Sequence, residues 1–151
     1  MPFMTDQKTI DKNLKLFKQF CDKEGLRITK PRTEVFKHIL ASDKPQTAYD
    51  IIDALKKPLD NPKPPTIYRA LEFLTENAFI HRIESLNAYI SCIEGHRHKG
   101  SQFMICDICQ NVEEIHLCHL PPSMENKITE NKFNLKYWNI EVHGQCSNCQ
   151  A

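Results

Sequence analysis

Two pairs of cysteines near the end of the chain carry the clearest chemical signal. Cys106 with Cys109 and Cys146 with Cys149 both have the spacing Cys-x-x-Cys. A turn of this kind places two sulfur atoms about 3.7 Å apart, which is one edge of a tetrahedron around zinc. Four thiolates leave no open coordination position, so we expect a structural zinc. A redox dithiol in one pair and a fortuitous spacing are the alternatives.

Composition favours reduced, metal-binding thiols over disulfides. The chain has 151 residues, of which 40% are hydrophobic, enough for one large domain or two small ones. No apolar run approaches the roughly 20 residues of a membrane span, and the N-terminus does not have the pattern of a signal peptide. The sequence therefore predicts a cytoplasmic protein. The cytoplasm keeps thiols reduced, so the seven cysteines are not expected to form a disulfide framework.

Net charge gives only a weak indication of a partner. The formal charge is +1, with a small excess of basic residues in 1–91 and of acidic residues in 92–151. An anionic partner of the first part is consistent with this distribution, and so is an ordinary solvated surface.

Apolar periodicity predicts helices followed by a hairpin in the first part of the chain. Thr29 and Thr47 are predicted N-caps of the second and third helices. Alternating apolar and polar residues predict two hairpin strands. This order is that of a winged helix-turn-helix. The predicted helices cover 9–23, a segment starting at 30, 48–57 and 63–74, and the strands lie in 78–85 and 87–92.

The cysteine-rich part predicts a smaller α+β unit. Short strands surround the first cysteine pair, a helix begins at Pro121-Pro122, and a last strand runs into the second pair. The preceding segment is polar and holds two of the four glycines, which indicates a linker. The predicted boundaries are therefore 1–92 for the first domain, 93–100 for the hinge and 101–151 for the second domain.

The segment KPPTIYRALEFL, residues 63–74, has the properties of a DNA-recognition helix. Its apolar residues share one face, whereas Tyr68, Arg69 and Glu72 lie on the other. Consecutive prolines fix the angle at which the helix begins. Thr66 and Tyr68 are placed to reach phosphates or a thymine methyl group, and Arg69 to contact guanine or phosphate. The alternative is an amphipathic helix with a solvated outer face.

A basic cluster at the start of the preceding predicted helix suggests further contacts with the DNA backbone. Its members are Arg27, Lys30 and Arg32. Positively charged side chains near a recognition helix neutralise phosphates without reading sequence.

These motifs together resemble the ferric uptake regulator family of metal-responsive repressors, and most closely its zinc uptake regulator branch. The resemblance implies a homodimer with an N-terminal winged-helix DNA-binding domain, a hinge, and a C-terminal dimerisation domain that holds the structural zinc. It rests on KPPTIYRALEFL (63–74), AFIHRIESLNAYISC (78–92), FMICDIC (103–109) followed by VEEI, and IEVHGQCSNC (140–149).

The resemblance also implies a regulatory zinc site at the hinge. One thiolate, two imidazoles and one carboxylate suit tetrahedral zinc, and the thiolate makes the site softer than a typical iron site. His96 competes with His98 for the hinge position because the segment before the first cysteine pair differs in length from the family pattern. The implied ligands are His81, Cys92, His98 and Glu114.

Each of these residues also has an ordinary interpretation. His81 is then a strand histidine, Cys92 a core thiol, and Glu114 a solvated carboxylate with Glu113 beside it as a competitor. The nearby residues His116, Cys118 and His119 are interpreted as bystanders. His143 is left unassigned, with a supporting role near the zinc as one option.

The function implied by the resemblance is zinc-dependent repression. About two zinc ions per chain, one structural and one regulatory, are expected. The zinc-loaded homodimer is expected to bind pseudo-palindromic, double-stranded operator DNA and to repress zinc uptake genes, without a small-molecule substrate or a membrane. The alternatives within the family are iron-responsive and peroxide-responsive regulators, and a zinc-ribbon interaction module without DNA binding is a third option.

A zinc-dependent enzyme is the distant alternative. Zinc deaminases combine His/Cys-x-Glu with Pro-Cys-x-x-Cys, and Cys92-Ile93-Glu94 followed by Cys106 is a superficial match. The residue immediately before Cys106 is Ile105 and not proline, and the second cysteine pair competes for the metal. We therefore predict that the protein is not an enzyme.

Overall fold

The computed structural model describes residues 5–92, 100–115 and 119–150. The chain combines helices and sheets and divides into two compact units, Met1–Arg97 and His98–Ala151. Most of the predicted hinge, 93–100, lies outside the described residues, so the predicted domain boundaries stay predictions. Within the described ranges, no helix is both long and apolar enough to cross a membrane.

Local capping defines where the helices of the first unit begin. Thr29 accepts a hydrogen bond from the backbone N–H of Arg32, and Thr47 forms a capping box with Asp50. Both predicted N-caps are thus confirmed. The helices are α1 (Gln7–Glu24), α2 (Lys30–Ala41), α3 (Ala48–Ala54) and α4 (Pro64–Glu76).

Helix α3 is shorter than the predicted 48–57. It ends at Ala54, and the chain then turns through Asp60 and Asn61, whose φ values are 52° and 54°. Asp and Asn adopt this left-handed conformation more readily than most residues. The periodic apolar pattern does not reveal this end, because Leu55 is buried just after the helix.

The predicted hairpin forms a three-stranded sheet with one additional strand. Strands β2 (Ile80–Ile83) and β3 (Ala88–Ser91) pair antiparallel, joined by a 3₁₀ turn and by Asn87 in the left-handed region. Strand β1 (Gln46–Thr47) pairs with the outer side of β3. A strand of two residues has no alternation to detect, so sequence patterning missed it.

The core of the first unit is aromatic and aliphatic. The Phe17 ring centroid lies 5.3 Å from that of Phe36 and 5.1 Å from that of Phe79, in tilted and edge-to-face geometry. Such pairs add to the hydrophobic gain of burying each ring. Helix α4 contributes its predicted inner face, Ile67, Ala70, Leu71 and Leu74, all buried. The opposite face of α4 is consequently exposed and available to bind a partner.

The second unit contains a small sheet and one helix. Its elements are β4 (Gly100–Cys106), β5 (Val112–Glu114), α5 (Pro122–Glu130) and β6 (Trp138–Gly144). Strand β4 is central, antiparallel to β5 and parallel to β6. No residue of α5 is buried. A core this small is consistent with a unit that needs a bound metal for stability.

A glycine is required where β4 begins. Gly100 pairs with Trp138 across the parallel ladder, and a Cβ atom at Gly100 would overlap the indole ring. Next along the ladder, the Ser101 hydroxyl lies 2.6 Å from Oδ1 of Asn139. The two strands are therefore held together closely at the end opposite the cysteines.

Candidate metal centres and nucleic-acid interface

The parallel pair β4–β6 brings the two cysteine pairs together. The strands are in register from Gly100 with Trp138 to Cys106 with Gly144, so both end at the same edge of the sheet. All four sulfur atoms lie within 4.8 Å of one another, and those of Cys109 and Cys146 are 3.8 Å apart. This separation is close to the tetrahedral edge of about 3.7 Å that zinc–sulfur bonds of about 2.3 Å require.

The acidities of these thiols fit binding of a divalent cation. Backbone N–H groups of Cys109 and Cys146 lower the pKa of Cys106 to about 6, and the N–H of Cys146 lies 3.4 Å from its sulfur. The pKa of Cys149 is raised to about 12, mainly by its interaction with the Cys146 side chain. Because the raised pKa of Cys149 keeps its thiol protonated, a bound cation would favour the thiolate form of this residue. The donors and their spacing therefore suit zinc.

A histidine and a cysteine of the first unit form half of the predicted regulatory set. His81 lies on β2 opposite Ile90, and Cys92 directly follows β3, where its N–H donates to the carbonyl of Phe79. A ring nitrogen of His81 and the sulfur of Cys92 lie within 4.8 Å of each other. Cys92 is buried and His81 half-buried. The hairpin thus brings two zinc-type donors together.

Strand alternation in the second unit separates the two neighbouring glutamates. Glu114 lies opposite Phe103 of β4 and is half-buried, whereas Glu113 lies opposite Met104 and is exposed. Their side chains point to opposite faces of β5. His96, His98, His116 and Cys118 lie outside the described residues. His119 is described and exposed.

Helix α4 presents the predicted recognition residues to solvent. Tyr68 is 49% exposed, Arg69 is exposed and Thr66 is half-buried at the beginning of the helix. Because the inner face is in the core, these side chains are held by a rigid element. The predicted backbone contacts Arg27 and Lys30 are exposed as well.

Arg32 also has contacts within the first unit. Its guanidinium carbon lies 3.6 Å from the centroid of the Phe73 ring, and one of its N–H groups donates to the carbonyl of Arg27. A cation over an aromatic face contributes about 0.5–2 kcal/mol. Arg32 therefore supports the fold, a role that its place in a basic cluster did not indicate.

Tyr49 is a surface residue that sequence reasoning missed. It lies in the first turn of α3, the helix before α4 in the chain, and is 83% exposed. The sequence signal for it is a large aromatic side chain two residues after the N-cap Thr47 and outside the apolar stripe of the helix.

The sequence and fold both match known proteins. Residues 23–143 match the Ferric uptake regulator family. The chain belongs to the ferric uptake regulator family. It is 34% identical over 146 residues to the zinc uptake regulation protein of Escherichia coli, covering 95% of this chain and 85% of that protein.

Solved structures of this family agree with the fold. A zinc uptake regulator complexed with zinc and DNA has a TM-score of 0.85 at 34% identity, covering 94% of this chain and 95% of that one. Holo XcZur has a TM-score of 0.79 at 32% identity, covering 91% and 96%. The predicted family and the predicted α+β fold are confirmed.

Proposed function

We propose that this member of the ferric uptake regulator family is a zinc-responsive transcriptional repressor. The zinc-loaded homodimer binds pseudo-palindromic operator DNA and represses zinc uptake genes. The observation that carries the proposal is the pairing of His81 with Cys92 on the hairpin directly after helix α4. It is supported by the similarity to proteins described as a zinc uptake regulation protein and as a zinc uptake regulator complexed with zinc and DNA.

The first of two zinc ions per chain is proposed to be structural. When bound, zinc would offset part of the thiolate charge and would link the ends of the two strands. The four donors come from the end of β4 with the turn that follows it, and from the turn that follows β6. Because they fill every coordination position, this zinc is expected to stabilise the second unit and not to exchange a ligand. Its proposed ligands are Cys106, Cys109, Cys146 and Cys149.

The second zinc ion is proposed to be regulatory. Its proposed ligands are His81, Cys92 and Glu114, together with His98 or, as the alternative, His96. The first two residues belong to one unit and Glu114 to the other, so their joint ligation restrains the hinge. Zinc raises DNA affinity to the extent that the restrained form is the one that binds DNA better.

The DNA contacts are proposed to come from the outer face of α4 and its surroundings. Thr66, Tyr68 and Arg69 reach base edges and phosphates in the major groove. Arg27, Lys30 and Arg32 neutralise phosphates, and Arg32 also holds its contact with the Phe73 ring. We add Tyr49 because its exposed ring lies at the start of the helix that precedes α4.

We further infer a cytoplasmic, non-enzymatic protein. A closed tetrathiolate centre leaves no position for a substrate, and operator binding places the protein with the DNA. An iron-responsive or peroxide-responsive role is the alternative within the family. Cys92 disfavours it, because a thiolate at an Fe²⁺ site would promote unwanted redox chemistry.

DNA binding with separate metals tests the proposal. The purified protein is supplied with Zn²⁺, Fe²⁺ or Mn²⁺, and its affinity for an operator fragment is measured at fixed salt. Zinc is expected to give the largest increase, and Cys92→Ser to abolish that increase while leaving a folded dimer. A Cys92→Ser protein with an unchanged zinc response, or a stronger response to iron in the natural protein, would contradict the assignment.

A further inference from the structure

His143 is a titratable residue close in the fold to the first cysteine turn, and none of the roles proposed above involves it. It lies at the end of β6, with Nδ1 3.2 Å from Oδ1 of Asp107 and Nε2 3.1 Å from Oε2 of Glu141. Asp107 is the residue immediately after Cys106 in the first cysteine turn. The imidazole therefore connects that turn to β6.

The same turn is attached to β6 by its backbone. The N–H of Asp107 donates to the carbonyl of Gly144 at 2.8 Å, and the N–H of Cys146 donates to the sulfur of Cys106 at 3.4 Å. His143 adds a side-chain link beside these two. Its partner Glu141 is only 15% exposed and holds the other edge of the ring in place.

The arrangement is that of a donor between two acceptors rather than of a metal site. The carboxylates occupy opposite ring nitrogens, so no single point lies within ligand distance of all three side chains. Two carboxylate partners favour the doubly protonated ring, and they raise the pKa of His143.

We propose that His143 is a positioning residue for the structural zinc. By donating to Asp107, it holds the first cysteine turn at the distance from the second turn that tetrahedral coordination requires. The inference rests on the proposed structural zinc and concerns how firmly that zinc is held. Residues that orient the ligands of a metal in this way affect its retention without touching it.

Zinc release from the full-length protein tests this role. The rate at which the tightly held zinc passes to excess chelator is measured with a colorimetric indicator. We expect His143→Ala to release zinc about tenfold faster. His143→Gln keeps an uncharged NH2 donor group that can serve one of the two carboxylates, and it is expected to be intermediate. Val142→Ala is the matched control, because Val142 lies on the same strand and is 51% exposed.

A double-mutant cycle separates this role from general destabilisation. If His143 acts through Asp107, then Asp107→Ala and His143→Ala will each speed release, and the double variant will be no faster than the faster single variant. Additive effects, a wild-type release rate in His143→Ala, or equal acceleration by Val142→Ala would overturn the role of His143.

One further variant distinguishes this proposal from the zinc assignment on which it rests. Cys106→Ser is expected to lose the tightly held zinc altogether. If Cys106→Ser keeps that zinc, the tetrathiolate assignment fails and the role of His143 fails with it. If Cys106→Ser loses the zinc while His143→Ala and His143→Gln hold it normally, only the role of His143 is refuted.

Discussion

The two candidate metal sites differ in their donors and in the way the chain supplies them. The tetrathiolate comes from two parallel strands of one unit, whose register brings both cysteine turns to one edge. The proposed regulatory set is mixed, and only His81 and Cys92 come from the same hairpin. A uniform, preformed set of four thiolates favours permanent binding, whereas a mixed set drawn from separate segments favours reversible binding.

The difference also involves the cost of organising each site. The cysteine turns are fixed by backbone hydrogen bonds such as that from Asp107 to Gly144 at 2.8 Å. Binding at the proposed mixed set must in addition bring together ligands from segments that are far apart in the sequence. Because this requirement reduces the net affinity, the regulatory site is expected to respond to changes in available zinc while the tetrathiolate stays occupied.

The largest expected effect comes from breaking the tetrathiolate. Cys106→Ser removes one of four thiolates, and structural zinc supplies on the order of 10 kcal/mol to folding in small zinc domains. We expect loss of the tightly held zinc and of the cooperative unfolding transition of the second unit. Circular dichroism and zinc content measure both.

The control for this variant keeps every thiolate. Asn148 is exposed between Cys146 and Cys149, so Asn148→Ala is expected to retain zinc and the unfolding transition. A stably folded, zinc-containing second unit in Cys106→Ser would remove the contrast between the two sites.

A smaller effect is expected at the regulatory site, where neighbouring glutamates form a matched pair. Glu114→Gln replaces a carboxylate ligand with a poor one, so we expect regulatory zinc affinity to fall by at least about 10–100-fold, the loss typical of changing a residue that only supports a ligand. Glu113→Gln removes the same charge from the exposed, opposite face of β5 and is expected to have little effect. Competition with a chelator, at full occupancy of the tetrathiolate, measures both affinities.

The outcome decides which glutamate belongs to the site. Equal losses in the two variants would indicate a general electrostatic effect, and a larger loss in Glu113→Gln would move the ligand to the neighbouring position.

The smallest expected effect is a pH dependence of folding stability that arises from His143, beside the first cysteine turn. Interaction with Asp107 and then Glu141 raises the pKa of His143 above its ordinary value of 6.5. When folding raises the pKa of a histidine, its contribution to native-state stability is fully present at pH values below the pKa of the unfolded state. The contribution is lost as the pH rises through the pKa of the folded state. The difference in unfolding midpoint between the natural protein and His143→Gln should therefore decrease as the pH rises from the unfolded-state pKa through the folded-state pKa. An NMR titration of the ring locates the folded pKa, and a pH-independent difference would contradict this account.

Features that depend on neighbouring residues were predictable from the sequence. The N-caps Thr29 and Thr47, the buried face of α4 and the β2–β3 hairpin all follow from spacing or capping over a few positions. The cysteine pairs belong to the same class, because a Cys-x-x-Cys turn is itself local.

Features that depend on distant pairing were not predictable. Strand β1 exists because Gln46 and Thr47 pair with β3, and the parallel register of β4 with β6 joins residues that are far apart in the chain. The stacking of Arg32 on Phe73 and the link from His143 to Asp107 also need the folded structure. The sequence pattern places these residues near a site but does not identify their partners.

The close contact of Trp138 with Gly100 makes the protein its own optical probe. Trp138 is the single tryptophan of the chain, and its ring lies against the first residue of β4, two positions after His98 in sequence. Indole emission thus reports on one known location. Without any attached dye, a zinc titration followed by fluorescence will show whether metal binding disturbs the start of that strand.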